Sequence, residues 1–191
     1  MARLNWMNAS LMGTLVLTAA LAGCGKGSNF SVISSGNSNL LDGGIRVRGG
    51  QVTLHADGAP DATLSATGDL SIDDHPLAIN ADQRKLLQQY YNNAEAVPAH
   101  GIETGKAGAA IAGQAISSVA KGLASGDTDK IDKEVDAKTD LVTKAAMKIC
   151  SDLAGIKTAQ DALASQLPAF KPYASIVNAG AVTDCEKSDK D

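Results

Sequence analysis

From Ile45 onward the chain alternates apolar and polar residues in short runs, and from Asn80 the apolar spacing changes to that of helices. Ile45-Arg46-Val47-Arg48 leads through Gly49-Gly50, a pair suited to the positive φ angles of a tight hairpin, into Gln51 to Ala56. Asp57 to Asp61 breaks the run. Ala62, Leu64 and Ala66 then alternate with Thr63 and Ser65. Leu70 and Ile72 continue the period, and Asp73-Asp74-His75-Pro76 forms a turn ahead of Leu77 and Ile79. The pattern predicts four or five short antiparallel strands with one apolar face, and such a face needs a cover.

Asn80 is a good helix N-cap, with Asp82 in the first turn and Gln83 where a capping box places its partner. Leu86, Leu87, Tyr90, Tyr91, Ala94 and Val97 recur at helical spacing, and Pro98 is expected to stop the run. A second helix is expected over about 103–124, rich in Ala and Gly, and a longer one from Thr128, with a break near Gly155 and an end at Pro168. Phe170, Pro172 and Tyr173 are expected to make a non-helical corner. The fold class is therefore α+β, a short antiparallel meander followed by three or four helices packed on it.

Ahead of these elements the pattern is different. Leu11 to Ala20 is apolar or small apart from Thr14 and Thr18, and the residues before it carry Arg3 and no acid. This fits a secretory signal and falls short of the roughly 20 residues that span a bilayer. Leu21-Ala22-Gly23-Cys24 follows directly and resembles the lipobox of bacterial lipoproteins. The resemblance implies cleavage before Cys24 and acylation of that cysteine, with Gly25 behind it favouring the outer membrane. Gly25 to Gly44 is rich in Gly, Ser and Asn, and its apolar residues show no period, so 24–44 is expected to be a tether spanning about 25 Å. The expected organisation is a signal peptide over 1–23, the tether, one α+β domain over 45–185 and a polar tail over 186–191.

Composition narrows the function. Loss of residues 1–23 removes one base, leaving 16 Lys and Arg against 21 Asp and Glu. No basic block exists, which argues against nucleic acid and against charge-driven membrane binding. With Trp6 in the signal, the aromatics left are Phe30, Tyr90, Tyr91, Phe170 and Tyr173. Few large anchors are therefore available for a recognition hot spot.

With Cys24 assigned to lipid, Cys150 and Cys185 can form one disulfide in an oxidising compartment. A loop of that length stabilises by roughly 3–4 kcal/mol. The alternative is a buried Cys150 and a free Cys185. His55, His75 and His100 form no metal-ligand spacing, and Asp73-Asp74-His75 reads as a solvated turn. Neither Gly122 to Gly126 nor Gly25 to Ser28 matches a nucleophile elbow or a phosphate loop. No catalytic residue, metal or cofactor is expected. The sharper feature is a ladder of small residues four apart, Gly101, Gly105, Ala109, Gly113 and Ser117, which looks like a glycine zipper. Tight packing within the domain and self-association are both open readings of it.

Gly68-Asp69-Leu70-Ser71-Ile72-Asp73, Leu77-Ala78-Ile79-Asn80, Gln83-Arg84 and Tyr90 resemble the YggN-like proteins, an uncharacterised family of Gram-negative envelope proteins. The likeness runs from about Ile45 to Glu95 and implies a periplasm-facing domain without supplying an activity. The expected function is a non-enzymatic binding or scaffolding lipoprotein of the outer membrane, facing the periplasm. Its partners would be the membrane, through the lipid anchor, and an envelope protein or a second copy. The alternative is a glycine-zipper lipoprotein that self-associates at the membrane.

Overall fold

The computed structural model describes residues 31–33, 37–125 and 129–187. Seven strands form one antiparallel sheet in sequence order: β1 (Ser31–Ile33), β2 (Asn37–Leu40), β3 (Ile45–Arg48), β4 (Gln51–Leu54), β5 (Ala62–Ser65), β6 (Leu70–Ile72) and β7 (His75–Pro76). The α+β class expected from the pattern is the one observed. Gly49 and Gly50 close the β3–β4 hairpin at φ +55° and +76°, and Arg48 pairs with Gln51 across it. Asp73 and Asp74 close the β6–β7 hairpin in the same way, at φ +52° and +60°.

The sheet begins earlier than its alternation suggests. β1, β2 and the 3-10 turn Leu41–Gly43 lie inside the stretch expected to be a tether, and Leu40 is fully buried. Asn39 pairs with Arg46 and Leu40 with Ile45, so β2 extends the sheet by backbone pairing, which Asn and Ser side chains do not forbid. The last turn is also displaced: His75 and Pro76 already pair with Ile72 and Ser71, where the pattern placed the strand at Leu77.

α1 (Ala81–Ser125) starts at the expected residue. The Asn80 Oδ1 accepts from the backbone N–H groups of Asp82 and Gln83, and the Gln83 Oε1 accepts from the Asn80 N–H, a complete capping box. Pro98 does not stop it. α1 runs through Pro98, which is buried, so the two helices expected on either side are one. Proline removes one backbone bond and crowds the preceding turn. Here α2 (Asp129–Gln166) lies along α1, and buried Val97 and Pro98 gain the packing that offsets this. Gly155 is likewise no break. It sits mid-helix in α2, where a Cβ would come 2.7 Å from the Asn93 side chain, so its small size lets the helices approach.

Leu40, Ile45, Val47, Val52, Leu54, Ala62, Leu64 and Leu70 point to one face of the sheet. Leu87, Tyr90, Tyr91, Ala94 and Val97 of α1 cover it, together with Ile156, Ala159 and Leu163 of α2 and Leu167 just beyond its end. The 3-10 turn Pro168–Tyr173 completes the cover with Phe170 and Tyr173, whose rings lie 5.6 Å apart by centroid. Three hydrogen bonds join distant parts of this base. The Tyr173 hydroxyl donates to Pro60 O at 2.6 Å, the Tyr91 hydroxyl to Gly50 O at 2.9 Å, and the Gln83 Nε2 to Gln166 O at 3.0 Å. α3 (Ala179–Lys187) follows and includes Glu186 and Lys187, residues expected in a polar tail.

The Tyr90 hydroxyl is fully buried with no hydrogen-bond partner among the described residues, beside Phe170 in an edge-to-face contact at 6.1 Å. Burial pushes its pKa far up. An unpaired buried hydroxyl costs stability that its removal restores. Tyr90→Phe is therefore expected to leave the urea midpoint unchanged or raise stability by about 1 kcal/mol, whereas Phe170→Ala should lower it by about 3–5 kcal/mol.

Candidate functional site

Strand alternation that buries one face of the sheet leaves the other open and polar. Asn39, Arg46, Thr53, Thr63, Ser71 and Pro76 stand in register across β2 to β7 on that face, and Arg48, Gln51 and Ser65 form a second row. At one end the Asp61 carboxylate is shared by the His55 Nδ1 at 2.7 Å and the Arg46 guanidinium at 3.5 Å. The three come from β3, the end of β4 and the start of β5, so only strand pairing brings them together. Nothing in their spacing along the chain reveals it.

At the opposite corner the β5–β6 turn docks on the start of α1. Gly68 holds φ +76° there, and a Cβ would stand 2.6 Å from the Arg84 carbonyl oxygen. The Arg84 Nη1 donates to Asp69 Oδ1 at 2.5 Å and to Thr67 O at 3.2 Å, while the Thr67 hydroxyl donates to Asp69 Oδ2 at 2.6 Å. The Arg84 hydrogen bond, followed by that of Thr67, holds the Asp69 carboxyl below its ordinary value of 3.8.

A third cluster spans the helices. The His100 Nδ1 of α1 lies 2.6 Å from Asp152 Oδ2 of α2, whose residue is 8% exposed, and one turn away Lys148 pairs with Glu103 at 3.4 Å. Beside them Cys150 and Cys185 are joined in a disulfide that ties α3 to α2, with Cα atoms 5.5 Å apart. No hydrogen bond links the second ring nitrogen of His55 or His100 to a hydroxyl or thiol among the described residues. His75 bonds its own turn through Nδ1 and Asp73 O, and among the described residues no three His, Cys, Asp or Glu side chains gather as metal ligands.

Of the small-residue ladder, Gly105, Ala109 and Gly113 are exposed on α1, and a Cβ added at Gly105 or Gly113 would meet nothing within 4 Å. Gly155 of α2, in contrast, lies against Asn93 of α1. Gly101 is half-buried, and the side chain of Ser117 lies outside the described residues. Cys24 and the box before it also lie outside them. Beyond Pro98 on α1 and before Cys150 on α2 no described side chain is buried, and the exposed large apolar residues Ile102, Leu141 and Met147 all belong to this overhanging arm. No described helix is long and apolar enough to cross a membrane.

The Asp69 contact yields a pH prediction. Because its folded-state pKa lies below the unfolded one, the pair adds stability above about pH 4, and this is lost as the pH falls further. Asp69→Asn should lower the urea midpoint at pH 7 and flatten the loss of stability below about pH 4, with both proteins converging in acid.

Residues 40–130, from the last residue of β2 to the second residue of α2, match a known family described as a protein of unknown function, DUF2884. No curated protein and no solved structure matches the chain.

Proposed function

We propose that this protein is a lipid-anchored module of the cell envelope, held in the outer membrane and facing the periplasm, which binds or scaffolds another envelope component without catalysis. The observation that carries the reading is the Leu21-Ala22-Gly23-Cys24 box directly behind an apolar run of signal-peptide length. Acylation of Cys24 with two or more chains gives stable anchoring where one would not. The YggN-like resemblance over 45–95 falls within the matched stretch and supports a periplasm-facing domain. Ser31, the first residue of β1, lies seven residues along the chain from Cys24. Fully extended, that stretch reaches about 25 Å, so the sheet is held near the bilayer.

Two surfaces suit a binding or scaffolding role. One is the open polar face of the sheet, and the other is the arm, which carries apolar residues where water meets them. Cys24→Ser should abolish incorporation of labelled fatty acid and move the protein from the membrane to the soluble fraction. Retention of label in that variant contradicts the anchor.

A second reading, self-association through the α1 ladder, is favoured by the exposure of Gly105, Ala109 and Gly113, with open space where a Cβ would stand at Gly105 and Gly113 among the described residues. Small residues four apart let two helices approach closely. Ala109→Leu with Gly113→Leu should reduce the sedimenting mass of the protein; equal sedimentation of variant and parent removes this reading.

A further inference from the structure

α3 is attached differently from every other helix. None of its residues is buried, and only Val182 packs partly against the core. Between α3 and α2 lies an open groove of about 290 Å³ lined by Ala154, Lys157, Thr158, Ala179, Val182 and Thr183. The helix is held at its two ends. At the N-terminal end, the fully buried Gln160 donates from Nε2 to Ala174 O and Val177 O, while its Oε1 accepts from the Val177 N–H. Asn178 Oδ1 then caps the first turn by accepting from the Ala181 N–H at 2.8 Å. Towards the C-terminal end the Cys150–Cys185 bond joins α3 to α2.

We infer that α3 is a redox-released strap: breaking the Cys150–Cys185 bond frees residues 179–187 to swing about Asn178, while Gln160 keeps Val177 and the base in place. The asymmetry of the bond sets the direction of the reaction. Cys150 is 5% exposed and Cys185 is half-exposed, so an incoming dithiol attacks the Cys185 sulfur. The attacking thiolate forms a mixed disulfide with Cys185, the Cys150–Cys185 bond breaks, and Cys150 leaves as a thiolate. The second thiol of the reductant then attacks its own sulfur in the mixed disulfide and releases Cys185. Two protons pass from the dithiol to Cys150 and Cys185; the protein disulfide is reduced and the dithiol is oxidised to its disulfide. Release uncovers Cys150 and Ala154 along α2. The sequence pairs the two cysteines, but only the shallow seating of α3 makes their bond a latch. The strap is independent of the lipid anchor.

The test uses the full chain treated with dithiothreitol at neutral pH, then pulsed with iodoacetamide, each cysteine being read on its own peptide by mass. Amide exchange is followed in parallel. Cys150 is expected to alkylate within about tenfold of the rate of Cys185, amides of 179–187 to exchange about a hundredfold faster than before reduction, and those of 81–97 and 156–167 to stay protected. Cys185→Ser, with no reductant, should show the same fast alkylation of Cys150. Two results overturn the inference. If Cys150 alkylates about a hundredfold more slowly than Cys185, α3 stays seated without the bond. If 81–97 and 156–167 lose protection with 179–187, the bond is a strut of the whole base and not a latch.

Discussion

A sheet that carries apolar side chains on one face is not stable in water until that face is covered, and the covering dictates the rest of this molecule. Eight buried side chains from Leu40 to Leu70 make the face, and two helices and a 3-10 turn close it. The strands are only two to four residues long, so the covered area is short compared with the helices. At 1.5 Å per residue, α1 runs about 67 Å and α2 about 57 Å, several times the length of any strand. The excess becomes the arm.

The base and the arm therefore rest on different physics. In the base, Tyr90, Phe170 and Tyr173 meet in a dry interior, and hydrogen bonds from Tyr91, Tyr173 and Gln83 tie turns to helices that lie far away in sequence. In the arm, two helices run side by side, and no described side chain of either is buried. Helices of low intrinsic stability depend on tertiary packing, and two helices side by side supply little of it. The His100–Asp152 and Glu103–Lys148 pairs sit where the arm leaves the base, and the disulfide beside them fastens α3 at the same level.

Local features of the fold were legible in the sequence because they depend on near neighbours. Asn80 with Gln83 announced the start of α1, Gly49-Gly50 the hairpin, and the alternation from Ile45 the buried face. Pro98 misled because its local cost is offset by packing from α2, which no window around it contains. The residues before Ile45 misled for the reverse reason. Asn37 to Leu40 joins the sheet through backbone pairing with β3, and its polar composition conceals a buried leucine. The pairing of Cys150 with Cys185 was legible once Cys24 was set aside for lipid, with a free Cys185 as the alternative. The grouping of Arg46, His55 and Asp61, and that of His100 with Asp152, required the strand register and the antiparallel helix pair. The small-residue ladder was visible, but its outward orientation was not, since helical spacing gives a face without saying what it faces.

If the sheet's need for a cover is what holds α1 and α2, protection should follow contact with the sheet and not helix membership. Native-state amide exchange along α1 measures this in one continuous helix. Amides of 84–97 are expected to exchange only with global unfolding, and those of 101–113 orders of magnitude faster through local opening. Uniform protection along α1, across Pro98 and into the arm, would contradict the account.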